Sequence, residues 1–285
     1  MYLLFSPQTP QIPHPNPLLP YITTNSPIQL NRPKTLNAFG DNLGDEVITA
    51  FRELNEHPDT IFTVLTGKGR FFSSGADVRG GIPTATGAGG NQTDAGKKIA
   101  SINKFAATLE MMRSAIDHKK VLILALNGPS VGGGAAWFQG VSDIVLAASG
   151  AWLQVPFSAL GLVPENGSVT TYAQSIGQHR ANEFLMFGRK VSVEEMERWG
   201  MVNHVFPAEG FHEKVIEYLE EQLEVNDGKA MLETKRLANI PLRETRINAL
   251  FNSWEALSER SVDGASAARF EAKRKNLESK SKSRL

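Results

Sequence analysis

Apolar residues run without alternation from Val121 to Leu126 and stop at Asn127-Gly128-Pro129, the pattern of a strand buried on both faces and ended by a turn. Two further stretches have the same character: Thr60-Ile-Phe-Thr-Val-Leu-Thr, stopped at Gly67, and Asp143-Ile-Val-Leu-Ala. Between them the period changes. Leu43, Val47, Ile48, Phe51 and Leu54 share one helical face, predicting a helix over about 41–56. Ile99, Ile102, Phe105, Leu109, Met112 and Ile116 do the same for about 95–117. A short strand begins near Ile28 and meets Pro33; another spans Trp152 to Phe157, and a loop over 160–168 opens a helix near Ser168. From Arg180 onward the pattern is largely helical, with Gly200 to Phe206 a short exception. Strands alternating with helices predict an α/β fold whose sheet is covered on both sides.

Glycine interrupts this pattern at the end of the central strand. Gly132, Gly133 and Gly134 let the backbone approach a bound group closely, and Ala135-Ala136-Trp137-Phe138 then reads as the first turn of a buried helix. A strand that delivers amides into a helix start suits negative charge, a phosphate or a developing oxyanion. Gly69 to Val78 is too polar for core and too apolar for a free loop, so its conformation is expected to serve function. Gly80 to Gly90 holds five glycines and reads as a flexible surface loop. Eight of the 15 prolines lie between Pro7 and Pro33. Residues 1–27 are therefore expected to form a weakly ordered leader, without the basic start and apolar core of a secretory signal.

Composition removes several classes. The 285 residues carry no formal net charge, which argues against nucleic-acid binding, and no cysteine, which excludes disulfides and thiolate chemistry. No apolar run approaches the roughly 18 residues a membrane span needs. The six histidines show no paired ligand spacing, so no metal is expected.

Four segments, Asn31-Arg-Pro-Lys-Thr-Leu-Asn-Ala, Phe71-Phe-Ser-Ser-Gly-Ala-Asp-Val, Asn127-Gly-Pro-Ser-Val-Gly-Gly-Gly and Ser142-Asp-Ile-Val-Leu-Ala-Ala, occur in the order and approximate spacing of the enoyl-CoA hydratase/isomerase, or crotonase, superfamily. The chain resembles that family over about residues 28–275. The resemblance implies a crotonase-like ββα spiral over 28–208 and a helical C-terminal oligomerisation region over 209–285, assembled as a homotrimer or homohexamer. It implies an acyl-CoA thioester substrate, with no cofactor beyond the CoA that is part of it. The thioester oxygen would lie between the amides of Ala76 and Gly133. The same resemblance places substrate contacts at Lys34, Leu36, Ser74, Gly75, Ala76, Asp77, Val78, Gly133 and Lys273. Asp77 is expected to order its own loop by local hydrogen bonds.

The acids select the branch of the family. Hydratases of that family carry two glutamates that position water; here the first position is Ala136 and the second aligns near Phe157. Glu165, in Leu160-Gly-Leu-Val-Pro-Glu-Asn-Gly-Ser, resembles the base of the peroxisomal Δ3,Δ2-enoyl-CoA isomerases. A single glutamate, its pKa raised by desolvation, could move a proton from C2 to C4. Asn166 stands close enough to orient it. The final Ser283-Arg284-Leu285 resembles a peroxisomal import signal, implying an import receptor as partner and the peroxisome as location. Two alternatives remain: a hydratase-type enzyme of a specialised peroxisomal pathway, and an acyl hydrolase. The second arises because Gly128-Pro-Ser-Val-Gly spells a nucleophile elbow at Ser130, with Asp143 and His204 following in suitable order.

Overall fold

The computed structural model describes residues 3–4, 25–40, 42–77, 93–264, 266–272 and 275. Val78, Lys273, the glycine-rich loop over 80–90, most of the leader and the terminal Ser283-Arg284-Leu285 lie outside the described residues.

The strands are β1 (Leu3–Leu4), β2 (Asn25–Leu30), β3 (Phe62–Gly67), β4 (Val121–Leu126), β5 (Ser130–Val131), β6 (Ile144–Ala148), β7 (Trp152–Gln154), β8 (Val191–Ser192) and β9 (His204–Phe206). The helices are α1 (Leu43–Glu56), α2 (Asp94–Ile116), α3 (Gly133–Ala136), α4 (Ser168–Ile176), α5 (Gln178–Phe187), α6 (Val193–Trp199), α7 (Phe211–Val225) and α8 (Gly228–Val262). One sheet has the order β1-β2-β3-β4-β6-β9, parallel except for β1, and a smaller one has the order β5-β7-β8. Both central strands, β3 and β4, are buried along their whole length. Their two faces feed different cores. Leu122, Leu124 and Leu126 join the cluster with α1, the end of α2 and α3, while Val121, Ile123 and Ala125 face Phe211, Val215 and Leu219 of α7. That double burial is why the run in β4 lacks alternation.

The spiral can be traced through the bridges of the second layer. Phe39 pairs with Ala76, Ser73 with Ser130, and β5 with β7. Each turn of chain therefore sends one strand to the large sheet and one short piece to a stack beside it, then returns through helix. The Ser73–Ala76 segment and the Ser130–Val131 strand that leads into Gly132–Gly134 lie in that stack.

Three expectations need correction. Order begins before residue 28: Asn25 to Pro27 belong to β2, and Leu3–Leu4 pair antiparallel with Gln29 and Leu30. Pro27, which has no N–H, sits beyond the two residues of β2 that β1 covers. The strand from Trp152 ends at Gln154 rather than Phe157, where a short 3₁₀ turn over Ser158–Leu160 follows. On α2, Ile99 is 58% exposed, because the first half of that helix meets α8 through polar groups, Ser101 Oγ bonding to Ser261 Oγ at 3.0 Å.

Candidate active site

The first wall of the site is built around Asn37. Leu36 and Asn37 both have positive φ, 53° and 54°, and the buried Asn37 side chain holds this turn against the next loop. Its Nδ2 donates to Lys68 O and Phe71 O at 3.0 and 2.8 Å, and its Oδ1 accepts from Arg32 N at 2.9 Å. Ser74 N–H reaches Leu36 O at 2.9 Å, and Ser74 Oγ reaches Thr35 O. Lys34, exposed on the preceding 3₁₀ turn, and Leu36 are thus brought beside Ser74, Gly75 and Ala76. Asp77 pairs with Arg32 Nη2 at 3.2 Å, tying the two segments together across 45 residues.

The bridge at Phe39 then sets the direction of the Ala76 amide. Phe39 N–H bonds to Gly75 O and Asp77 N–H to Phe39 O, so in a parallel bridge the N–H of Ala76 points the opposite way. Gly133 opens α3, where a first-turn N–H has no partner inside the helix. The two amides come from segments in backbone contact. A Cβ on Gly75, whose φ is 85°, would stand 2.7 Å from Val131 O and 3.3 Å from Gly133 N. Gly75 is therefore required twice, by its φ and by this approach. A Cβ on Gly133 would stand 2.4 Å from the Trp137 ring.

Trp137 connects this pair of amides to the acid. Its Nε1–H donates to Glu165 Oε2 at 3.0 Å, and its ring lies 4.7 Å from that of Phe39. Glu165 sits in a loop clamped by α8: Arg260 Nε donates to Gly161 O at 3.1 Å, and Gly167 N–H donates to Ser253 Oγ at 3.0 Å. Asn166 has φ 51° and supplies the turn after Glu165. Burial raises the Glu165 carboxyl to about 7, against the opposing pull of the Trp137 N–H and the Lys104 ammonium. Burial in turn lowers Lys104, which Glu165 partly offsets. Ala136 and Phe157, at the positions of the hydratase acids, are apolar and buried.

The hydrolase constellation does not assemble. Ser130 Oγ is fully buried without a hydrogen-bond partner among the described residues. Asp143 is occupied by Lys235 Nζ and Leu122 N–H, both at 2.7 Å, and His204 is exposed on β9 against Phe206 and Tyr218. The sequence reading missed Trp137, Phe39, Asn37 and Lys104. A tryptophan inside a buried glycine-alanine helix was the available signal for the first, because its N–H must find an acceptor.

A model of the enoyl-CoA hydratase/isomerase family matches residues 25–250. The chain belongs to that family. It is 37% identical over 175 residues to the Delta(3,5)-Delta(2,4)-dienoyl-CoA isomerase of Pyricularia oryzae, a match covering 61% of this chain and 62% of that protein. It is 34% identical over 191 residues to human enoyl-CoA delta isomerase 2, covering 66% of this chain and 45% of that protein. The chain thus spans less than two thirds of these relatives. Among solved structures, that of an enoyl-CoA hydratase from Bacillus halodurans superposes with a TM-score of 0.79 at 19% identity, over 95% of this chain and all of the other, a likeness of fold. The crotonase-like architecture expected from the motifs is therefore the fold of this chain. No helix among the described residues is long and apolar enough to cross a membrane.

Proposed function

We propose that this member of the family is an enoyl-CoA isomerase that moves a 3-enoyl-CoA double bond to the 2-trans position, with Glu165 as the base and the Ala76 and Gly133 amides as the oxyanion hole. The observation that carries the reading is the Glu165 carboxyl, raised by burial to about 7 and bonded to Trp137, which packs on Gly133. Glu165 would take a proton from C2, leaving a dienolate whose charge collects on the thioester oxygen. Two backbone donors fixed at that oxygen stabilise it, each by on the order of 3 kcal/mol. The same carboxyl then returns the proton at C4. Lys34, Leu36 and Ser74 to Val78 would hold the CoA and thioester, with Lys273 at a CoA phosphate.

Buried Ala136 and Phe157 leave no acid at either hydratase position, which disfavours water addition. In the dienoyl reaction named by the Pyricularia oryzae relative, the proton must travel from C2 to C6, farther than the C2 to C4 transfer asked of a single carboxyl. The terminal Ser283-Arg284-Leu285 supports peroxisomal import as part of the same reading, tested by locating a fluorescent fusion with and without those residues.

The test is 3-hexenoyl-CoA with wild type, Glu165→Gln and Ser130→Ala, followed by the absorbance of the conjugated 2-enoyl thioester. Wild type is expected to form it, Glu165→Gln to lose roughly 10²- to 10⁴-fold in rate, and Ser130→Ala to retain activity. Hydration of 2-enoyl-CoA as the sole reaction, or Ser130-dependent release of free CoA, would sink the assignment.

A further inference from the structure

A carboxyl that shuttles a proton must present the same oxygen at collection and at delivery. Glu165 has two oxygens, and Trp137 distinguishes them. The indole is buried, 6% exposed, and its Nε1–H donates to Oε2 at 3.0 Å. The ring has little freedom to turn away: Phe39 packs against it at 4.7 Å between ring centroids, and Gly133 approaches so closely that a Cβ there would lie 2.4 Å from Cζ2 and 3.0 Å from Nε1. An indole N–H donates and never accepts. It therefore tolerates the carboxylate or the carbonyl oxygen of the acid, and opposes a hydroxyl at the oxygen it faces.

We propose that Trp137 is a positioning residue of the proton shuttle, its N–H keeping Glu165 Oε2 an acceptor in both protonation states so that Oε1 alone carries the proton. This rests on the assignment of Glu165 as the base. The C2–H bond breaks toward Oε1 while its electron pair passes into the dienolate. The Oε1–H bond then breaks toward C4, and the double bond is left between C2 and C3. Among the described residues, the charged group acting on Glu165 is the Lys104 ammonium from α2; Arg260 of α8 is engaged by Gly161 O and Asp263.

Two variants test this beside wild type and Glu165→Gln: Trp137→Phe, and replacement of Trp137 by benzothienylalanine, which keeps the bicyclic shape and deletes only the N–H. With 3-hexenoyl-CoA both are expected to lose about ten- to a hundredfold in kcat, the scale of one hydrogen bond to a charged group. KM should stay within about twofold, as for an interaction that acts on chemistry rather than on binding. The acid limb of kcat/KM should move to higher pH, because the lost N–H favoured the ionised carboxyl. The benzothienyl protein should still melt in one cooperative transition, lower than wild type by no more than the few degrees that one hydrogen bond is worth. If the benzothienyl protein keeps wild-type kcat and an unmoved acid limb while Glu165→Gln is inactive, the role of Trp137 is overturned and the base assignment stands. If Glu165→Gln still isomerises, the base assignment falls and takes this inference with it.

Discussion

Glu165 has to be ionised to act, and the protein makes that costly. Its carboxyl is raised from 4.5 to about 7, chiefly by burial, so the active fraction grows as pH rises through that value. The expected profile is a kcat/KM that climbs with pH on the acid side and levels off above about 7. The same shift affects stability. A carboxyl with a folded pKa above its unfolded one contributes stability below the unfolded value, and the contribution is lost as pH rises through the folded value. Glu165→Gln should therefore melt higher than wild type near pH 8 by on the order of 1–2 kcal/mol, allowing for the residue's partial exposure, with the gap closing toward pH 4. Thermal denaturation across pH measures it; a gap that widens in acid would contradict the sign. Glu165 itself was legible, because its neighbours spell a recognisable loop. Its hydrogen-bond partner was not, since nothing in the spacing of positions 137 and 165 says that an indole crosses to a carboxyl.

At the level of elements, the strands and helices followed from periodicity wherever a face is wholly buried, as in β3, β4 and α1. Legibility failed where an element meets polar partners. Ile99 looked like core in sequence, but the start of α2 faces α8 across Ser101 and Ser261, and Lys98 is paired with Glu255 and Glu259. The turn carrying Lys34 and Leu36 also depends on a contact invisible in sequence, the three bonds of Asn37. Asn37→Ala removes all three and puts alanine at positive φ. It should destabilise the fold by about 2–4 kcal/mol, read from urea denaturation, and raise KM for acyl-CoA by loosening the first wall. Asn37→Gly relieves only the φ, so its stability should fall between the two.

An ion pair between a buried lysine and a partly exposed aspartate joins the large sheet to the long C-terminal helix. Lys235 of α8 reaches Asp143 at 2.7 Å and donates to Lys120 O, while Asp143 also accepts from Leu122 N–H at the head of β4. Asp143, considered in sequence as a hydrolase acid, is structural. Lys235→Met should cost about 1–3 kcal/mol by leaving that carboxylate without its cation, and Lys235→Met with Asp143→Asn should recover part of it in the same unfolding assay. Outside this joint, α8 exposes Leu237, Ile240 and Phe251, and α5 exposes Met186 and Phe187. These residues support the proposed trimer or hexamer, which sedimentation would test. The motifs implied such an assembly, and a single chain's packing leaves that surface open.

The clamp of α8 on the Glu165 loop, at Gly161 through Arg260 and at Gly167 through Ser253, would couple the proposed catalysis to the proposed association. If neighbouring chains cover α8, they also brace the base from behind. Specific activity should then depend on how much enzyme is in the cuvette: constant at high concentration and falling on dilution as the assembly separates, with kcat dropping before any helix is lost.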